Sequence, residues 1–146
     1  MLKNSTARSC YLLLLALCTV FAGCSEQQTL SEKQRLALEE RVADRWQALE
    51  SRDFEQAWEY TSPNYRAIFP KQLYVKKFSY AVKWELTGIE IVNYDGAAAV
   101  ASVVTRVMSE PTKRTSTASE LIGATPTSFR EQWIFTEGQW WFSAND

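Results

Sequence analysis

Histidine is absent from the 146-residue chain. That absence removes His-based catalytic triads, imidazole metal ligands and the usual near-neutral proton shuttle. Cysteine is confined to Cys10, Cys18 and Cys24. Beyond Cys24 the chain can form no internal disulfide and no thiolate cluster, so neither a metal nor another cofactor is expected. Glycine and proline are scarce, at five and four residues, which excludes collagen-like and low-complexity chains. A hydrophobic content of 46% excludes a disordered one. Positive charge is also short: 16 Lys and Arg face 17 Asp and Glu, and without the first 23 residues the net charge is −3. Nucleic acid is therefore not an expected partner. No long hydrophobic run is present either, because the apolar stretch from Tyr11 to Gly23 has 13 residues, whereas a spanning helix needs about 20.

What is there begins with an address. Lys3 and Arg8 precede that apolar stretch in the manner of a secretory signal. Its removal leaves 123 residues, enough for one core and not two. The stretch ends in Phe21-Ala22-Gly23-Cys24, which resembles the lipobox of bacterial lipoproteins, with Phe21 where that family usually has Leu. The resemblance implies that Cys24 is diacylglycerylated on sulfur, becomes the N-terminus and is N-acylated, chemistry that needs a thiol nucleophile. An ordinary signal peptide cleaved nearby, or a short uncleaved anchor, is the alternative. Ser25 stands where Asp would favour inner-membrane retention by the enteric rule, so the expected location is the outer membrane, facing the periplasm. The expected organisation is a signal at 1–23, a lipidated Cys24 with its tether at 24–30, and one domain at 31–146. Five extended residues, 25–29, reach about 17 Å, so the domain should sit close to its bilayer.

The rest divides into helices and then strands. Ser31 with Gln34 makes a capping-box pattern before Leu38, Val42, Trp46 and Leu49, which predicts a helix over 32–51. Asp53 with Gln56 repeats the signal for a short second helix, and Pro63 and Pro70 suit the first positions of helices over 63–68 and 70–78. Segments 84–94 and 97–108 are rich in β-branched and aromatic residues and flank Asp95-Gly96, a hairpin signal. Segments 129–135 and 140–142 flank Glu137-Gly138 in the same way. Gly88 interrupts the first strand; a bulge there would keep Trp84, Leu86, Ile89 and Ile91 on one face. Between the hairpins, 109–128 is polar, so either 115–121 adds an edge strand or the segment is a rim loop.

Helices followed by a curled antiparallel sheet give an α+β fold class. Asp53-Phe54-x-x-Ala57-Trp58, Ser62-Pro63-x-Tyr65-Arg66, the Asp95-Gly96 hairpin and Glu131-x-Trp133 before Glu137-Gly138-x-Trp140-x-Phe142 resemble, in order and spacing, the nuclear-transport-factor-2-like superfamily. The resemblance implies a cone-shaped fold with a pocket between the concave sheet face and the helices, and often a homodimer through the outer face. It fixes no single activity, since members include isomerases, dehydratases, binding modules and secretion-apparatus scaffolds.

Among candidate site residues, Glu131 shares a strand face with Phe129, Trp133 and Phe135 under strict alternation. Desolvation could make it a general acid or base; paired with an arginine, with Arg106 the natural candidate, it would serve structure. No Asp falls inside an apolar strand, and Tyr60, Tyr65, Tyr74, Tyr80 and Tyr94 are the available hydroxyl donors. Trp133, Trp140, Trp141 and Tyr65 are candidates for ligand or partner contact. Trp140 and Trp141, adjacent on a strand, must face opposite ways, so one of them meets a second environment. Lys71, Lys76, Lys77 and Lys83 form a basic cluster suited to anionic headgroups or to a solvated face. The expected function is a lipid-anchored, non-catalytic envelope module that binds a small apolar ligand or an envelope protein. An isomerase- or hydrolase-type enzyme using Glu131, or a scaffold subunit of an envelope complex, is the alternative.

Overall fold

The computed structural model describes residues 29–78, 81–113 and 123–144. Cys24 and the lipobox lie outside the described residues, as does the segment 115–121. Helix α1 spans Glu32–Glu50 and opens on the capping box, with Ser31 Oγ accepting from Gln34 N at 3.3 Å and Gln34 Oε1 accepting from Ser31 N at 3.2 Å. Its inward stripe is Leu38, Val42, Arg45, Trp46 and Leu49, all buried. The four apolar members each gain roughly 1.5–3 kcal/mol from burial. Three short helices follow: α2 at Phe54–Glu59, α3 at Pro63–Ile68 and α4 at Lys71–Val75. Asp53 and Ser62 cap α2 and α3 through their side chains. Pro63 takes the first helical position, while Pro70 stands one place earlier than expected, as the extended cap of α4.

Four strands form an antiparallel meander: β1 Val82–Asp95, β2 Val100–Pro111, β3 Thr125–Thr136 and β4 Gln139–Ser143, hydrogen-bonded in chain order. The register slips between Leu86 and Gly88, which is the expected bulge, and again between Ile91 and Asn93, where nothing in the sequence signalled one. These irregularities bend β1 so that Trp84, Leu86, Ile89 and Ile91 all pack toward the core. The first hairpin is longer than Asp95-Gly96 suggested. Asp95 Oδ1 accepts from both Ala97 N and Ala98 N, and Ala99 takes φ 53°, so residues 96–99 are loop and the returning strand begins at Val100. The second hairpin is tight: Glu137 and Gly138 both have positive φ, 53° and 78°, as a two-residue turn matched to strand twist requires.

α1 crosses the concave face of the curled sheet and closes the core over Ala101, Val103, Val107, Trp133 and Trp140. The chain between α2 and α3 runs beside the edge strand, where Thr61 bridges Phe142 in parallel and Ser62 N donates to Phe142 O at 2.9 Å. All these elements and the core they share lie within 29–144, a unit that buries its own interior.

Candidate functional site

Glu131 is buried on the inner face of β3, and its partner is Arg45 of α1, not Arg106. Arg45 Nη1 and Trp46 Nε1 both donate to Glu131 Oε1 at 2.9 Å, and Trp133 Nε1 donates to Oε2 at 3.0 Å. Arg106 stands on the opposite face of the sheet, exposed and paired with Glu90; an added Cβ on Gly88 would meet its Nη1. The reason lies in β2, whose two faces are both rich in β-branched residues. Ala101, Val103, Thr105 and Val107 are the ones turned inward. Arg106 alternates outward with Val104 and Met108, so it cannot be the partner of Glu131 that the strand pattern suggested.

The Arg45–Glu131 pair forms one wall of a cavity of about 280 Å³ between α1, α4 and the sheet. Trp46, Leu49, Phe78, Trp84 and Phe142 make much of the rest apolar, with Lys77 and Arg130 adding positive charge to the lining. Tyr74 from α4 lines it too; among the described residues neither its buried hydroxyl nor the buried Arg45 Nε has a hydrogen-bond partner at contact distance. The guanidinium carbon lies over the Phe142 ring, 3.7 Å from its centroid, so its place is fixed by packing as well as by the carboxylate. A small cavity with apolar walls and a few fixed polar groups is the usual make-up of a ligand site.

Burial pushes the Tyr74 phenol above its ordinary value, an effect that the charge and hydrogen-bonding of nearby Arg45 offset only in part. The unfolded chain ionises this phenol near pH 10, about the ordinary tyrosine value, while the folded state resists doing so. The resulting stabilisation is whole below that pH and is lost as pH rises through the folded value. In urea denaturation between about pH 8 and pH 11, Tyr74→Phe is therefore expected to lose less stability at the alkaline end than wild type. Parallel alkaline limbs would show that the phenol contributes nothing there.

The four aromatic candidates are brought into the interior but not to this cavity's lining. Trp133 is fully buried beneath Glu131. Trp140 packs in the core against Phe135 and Tyr94 and donates to Gln34 O at 3.0 Å. Trp141 faces the other way and is covered by two guanidinium groups, Arg41 at 5.2 Å and Arg66 at 4.8 Å from its ring centroid. Tyr65 stacks on Phe69 at 4.9 Å and meets the edge of Tyr74. The residues that sequence reasoning missed are Arg45 and Trp46. The signal for Arg45 was its place on the apolar stripe of α1, where a cation needs a buried acid.

The described residues hold no group of three or more His, Cys, Asp or Glu side chains placed to bind a metal ion. The chain matches no protein-family model and no curated protein. Its likeness is to solved structures. An uncharacterised protein with a cystatin-like fold from Caulobacter vibrioides shares 15% identity, with a TM-score of 0.53, covering 75% of this chain and 84% of its own. A SEC-C motif containing protein from Rhodopseudomonas palustris shares 19% identity, with a TM-score of 0.48, covering 75% and 77% respectively. A Novosphingobium aromaticivorans protein provisionally named an aromatic ring hydroxylase shares 13%, with a TM-score of 0.48, covering 79% and 87%. At such identity the likeness to the Caulobacter protein is one of fold alone: α+β, with helices packed on a curled antiparallel sheet, of the cystatin-like type.

Proposed function

We propose that the protein is a lipid-anchored module of the bacterial envelope whose cone binds a small, mainly apolar ligand carrying a hydrogen-bond acceptor. The observation that carries this reading is the cavity of about 280 Å³, whose largely apolar walls also hold the polar side chains of Arg45, Tyr74, Lys77 and Arg130. Apolar walls with a few placed polar groups are what a small ligand of mixed character needs. The ligand's body meets Trp46, Phe78, Trp84 and Phe142; its acceptor meets the cationic side of the lining. The anchor is Cys24, by the resemblance of 21–24 to a lipobox, and the membrane is the outer one, by Ser25.

Proton transfer by Glu131 is the second reading, and one observation favours it: the carboxylate is buried and shares the cavity with Tyr74. Yet its oxygens already accept three N–H groups, one of them from an arginine. That makes it a fastener between α1 and β3 with little of its surface left for a substrate. A scaffold role fits less well, because it calls for an exposed apolar patch around Trp141, and Trp141 is covered by Arg41 and Arg66.

Native mass spectrometry of residues 25–146, purified from a bacterial host and compared with the denatured mass, tests the reading. A retained small-molecule mass that is lost in Trp84→Ala is the expected result. A ligand-free monomer turning over a small carbonyl or ester substrate would move the weight to the enzyme, and a ligand-free dimer to the scaffold.

A further inference from the structure

The corner where α3 meets α4 is built in a way that the cavity does not explain. Residues 67–70, Ala-Ile-Phe-Pro, are four consecutive apolar side chains, and all four are exposed. Ile68 is 76% exposed, Leu73 on the next turn 50% and Phe69 39%. Scattered exposed apolar residues are ordinary, but a contiguous run projecting from one corner marks a contact surface. This run is rigidly backed. Trp58 Nε1 donates to Phe69 O at 3.1 Å, the Phe69 ring lies on Tyr65, and Pro70 fixes the turn into α4.

The charge around it is one-sided. Between Glu59 and Glu85 the chain carries no acidic residue, although Asp and Glu outnumber Lys and Arg overall. The same interval holds Arg66, Lys71, Lys76, Lys77 and Lys83. Lys76 and Lys77 are exposed at the end of α4, one turn beyond Leu73. Lys71 and Arg66 reach back to Glu59, the acid that bounds the interval. An apolar tip of Ile, Phe, Pro and Leu with Lys76 and Lys77 beside it is complementary to a bilayer interface, with acyl chains for the tip and anionic headgroups for the lysines.

We infer that the α3–α4 corner is a membrane-contact surface that seats Ile68, Phe69 and Leu73 at the level of the headgroups of an anionic bilayer. The inference needs neither the cavity nor the lipid on Cys24, since it rests on the folded domain's own surface. It has a geometric consequence. α4 turns Tyr74 to the cavity and Leu73 outward, so the seated domain holds the α4 wall of its cavity against the membrane.

Residues 25–146 comprise the complete described unit, lack cysteine and would carry no lipid, so flotation with vesicles isolates the surface. Vesicles of equal parts phosphatidylglycerol and phosphatidylcholine are expected to carry the domain up the gradient at least tenfold more than pure phosphatidylcholine, and added salt should reverse this. Ile68→Ser with Leu73→Ser, and separately Lys76→Glu with Lys77→Glu, should each lower the floated fraction about tenfold. Both should keep the wild-type circular dichroism; the first should also keep the urea midpoint, because Ile68 and Leu73 lie at the surface, whereas Lys77→Glu gives up cation–π contacts with Tyr65 and Phe69 and lowers it. Leu73→Cys carrying an environment-sensitive fluorophore should shift to the blue on the anionic vesicles. A folded domain that ignores anionic vesicles, or variants that float like wild type, would overturn the inference. So would self-association of the wild type that the Ile68 and Leu73 changes abolish, which would give the corner to a second copy of the chain.

Discussion

Glu131→Gln is expected to destabilise the folded domain by about 3–5 kcal/mol, a large share of the roughly 5–15 kcal/mol that holds a domain of this size together. The substitution keeps the shape but only one of two acceptors, because Trp46 donates to Oε1 and Trp133 to Oε2, so the amide NH2 must face one of the two indole N–H groups. What it removes is the negative charge opposite Arg45, whose side chain is 6% exposed and, among the described residues, ion-paired to Glu131 alone. A buried guanidinium without its counter-charge is the mechanism of the loss. The same logic says that Arg45→Met added to Glu131→Gln should recover part of it, because the double variant buries no net charge although one indole N–H is left facing the amide NH2. Urea denaturation of the four proteins of this cycle reads the coupling directly. Additive losses, with no recovery in the double variant, would show that Arg45 and Glu131 stabilise the fold independently and that the pair is not the fastener between α1 and β3.

That pair also marks where the sequence could be read and where it could not. The inward face of β3 was legible, because Phe129, Glu131, Trp133 and Phe135 alternate in a strand with clear turn signals at one end, and Glu131 is indeed buried there. The capping box of α1 and the bulge beside Gly88 were legible for the same reason: each is a local rule with its residues within a few positions. Arg45 was hidden by its charge, since a cation on a helix is ordinarily solvent-facing, although its spacing from Leu38, Val42 and Leu49 places it on the buried stripe. Arg106 misled because β2 is apolar on both faces, and periodicity of two cannot choose between faces that look alike. The alanines after Gly96 look like strand but are turned by the Asp95 carboxylate, a side-chain contact that composition does not report. The cavity itself needed α4 to be placed over the sheet. The helical reading found α4, yet its packing against Arg45 is a tertiary fact with no local signature.

The second large effect belongs to Cys24. In the full-length chain expressed in a bacterial host, Cys24→Ser is expected to abolish salt-resistant membrane attachment and to remove the diacylglycerol and acyl mass from the protein. The argument is additive in acyl chains. Each buried methylene contributes about 0.8 kcal/mol, and a single acyl chain holds a protein only reversibly, with an association constant of about 10⁴ M⁻¹, so stable anchoring comes from having more than one. A serine hydroxyl is too poor a nucleophile to take the thioether's place. The α3–α4 corner makes the residual behaviour informative, because its attraction to headgroups through Lys76 and Lys77 is screened by salt, whereas the anchoring by acyl chains is not. Wild type should therefore stay in the membrane fraction through a high-salt wash, and it should do so even with Lys76→Glu and Lys77→Glu. Cys24→Ser, where the signal is still cleaved, should associate only at low salt, and it should lose that association when the two lysines are also changed. A Cys24→Ser protein that resists the wash while carrying no acyl mass would place the anchor in the apolar stretch of 11–23 itself, retained as an uncleaved segment. A variant that still carries the acyl mass would remove Cys24 as the site of modification.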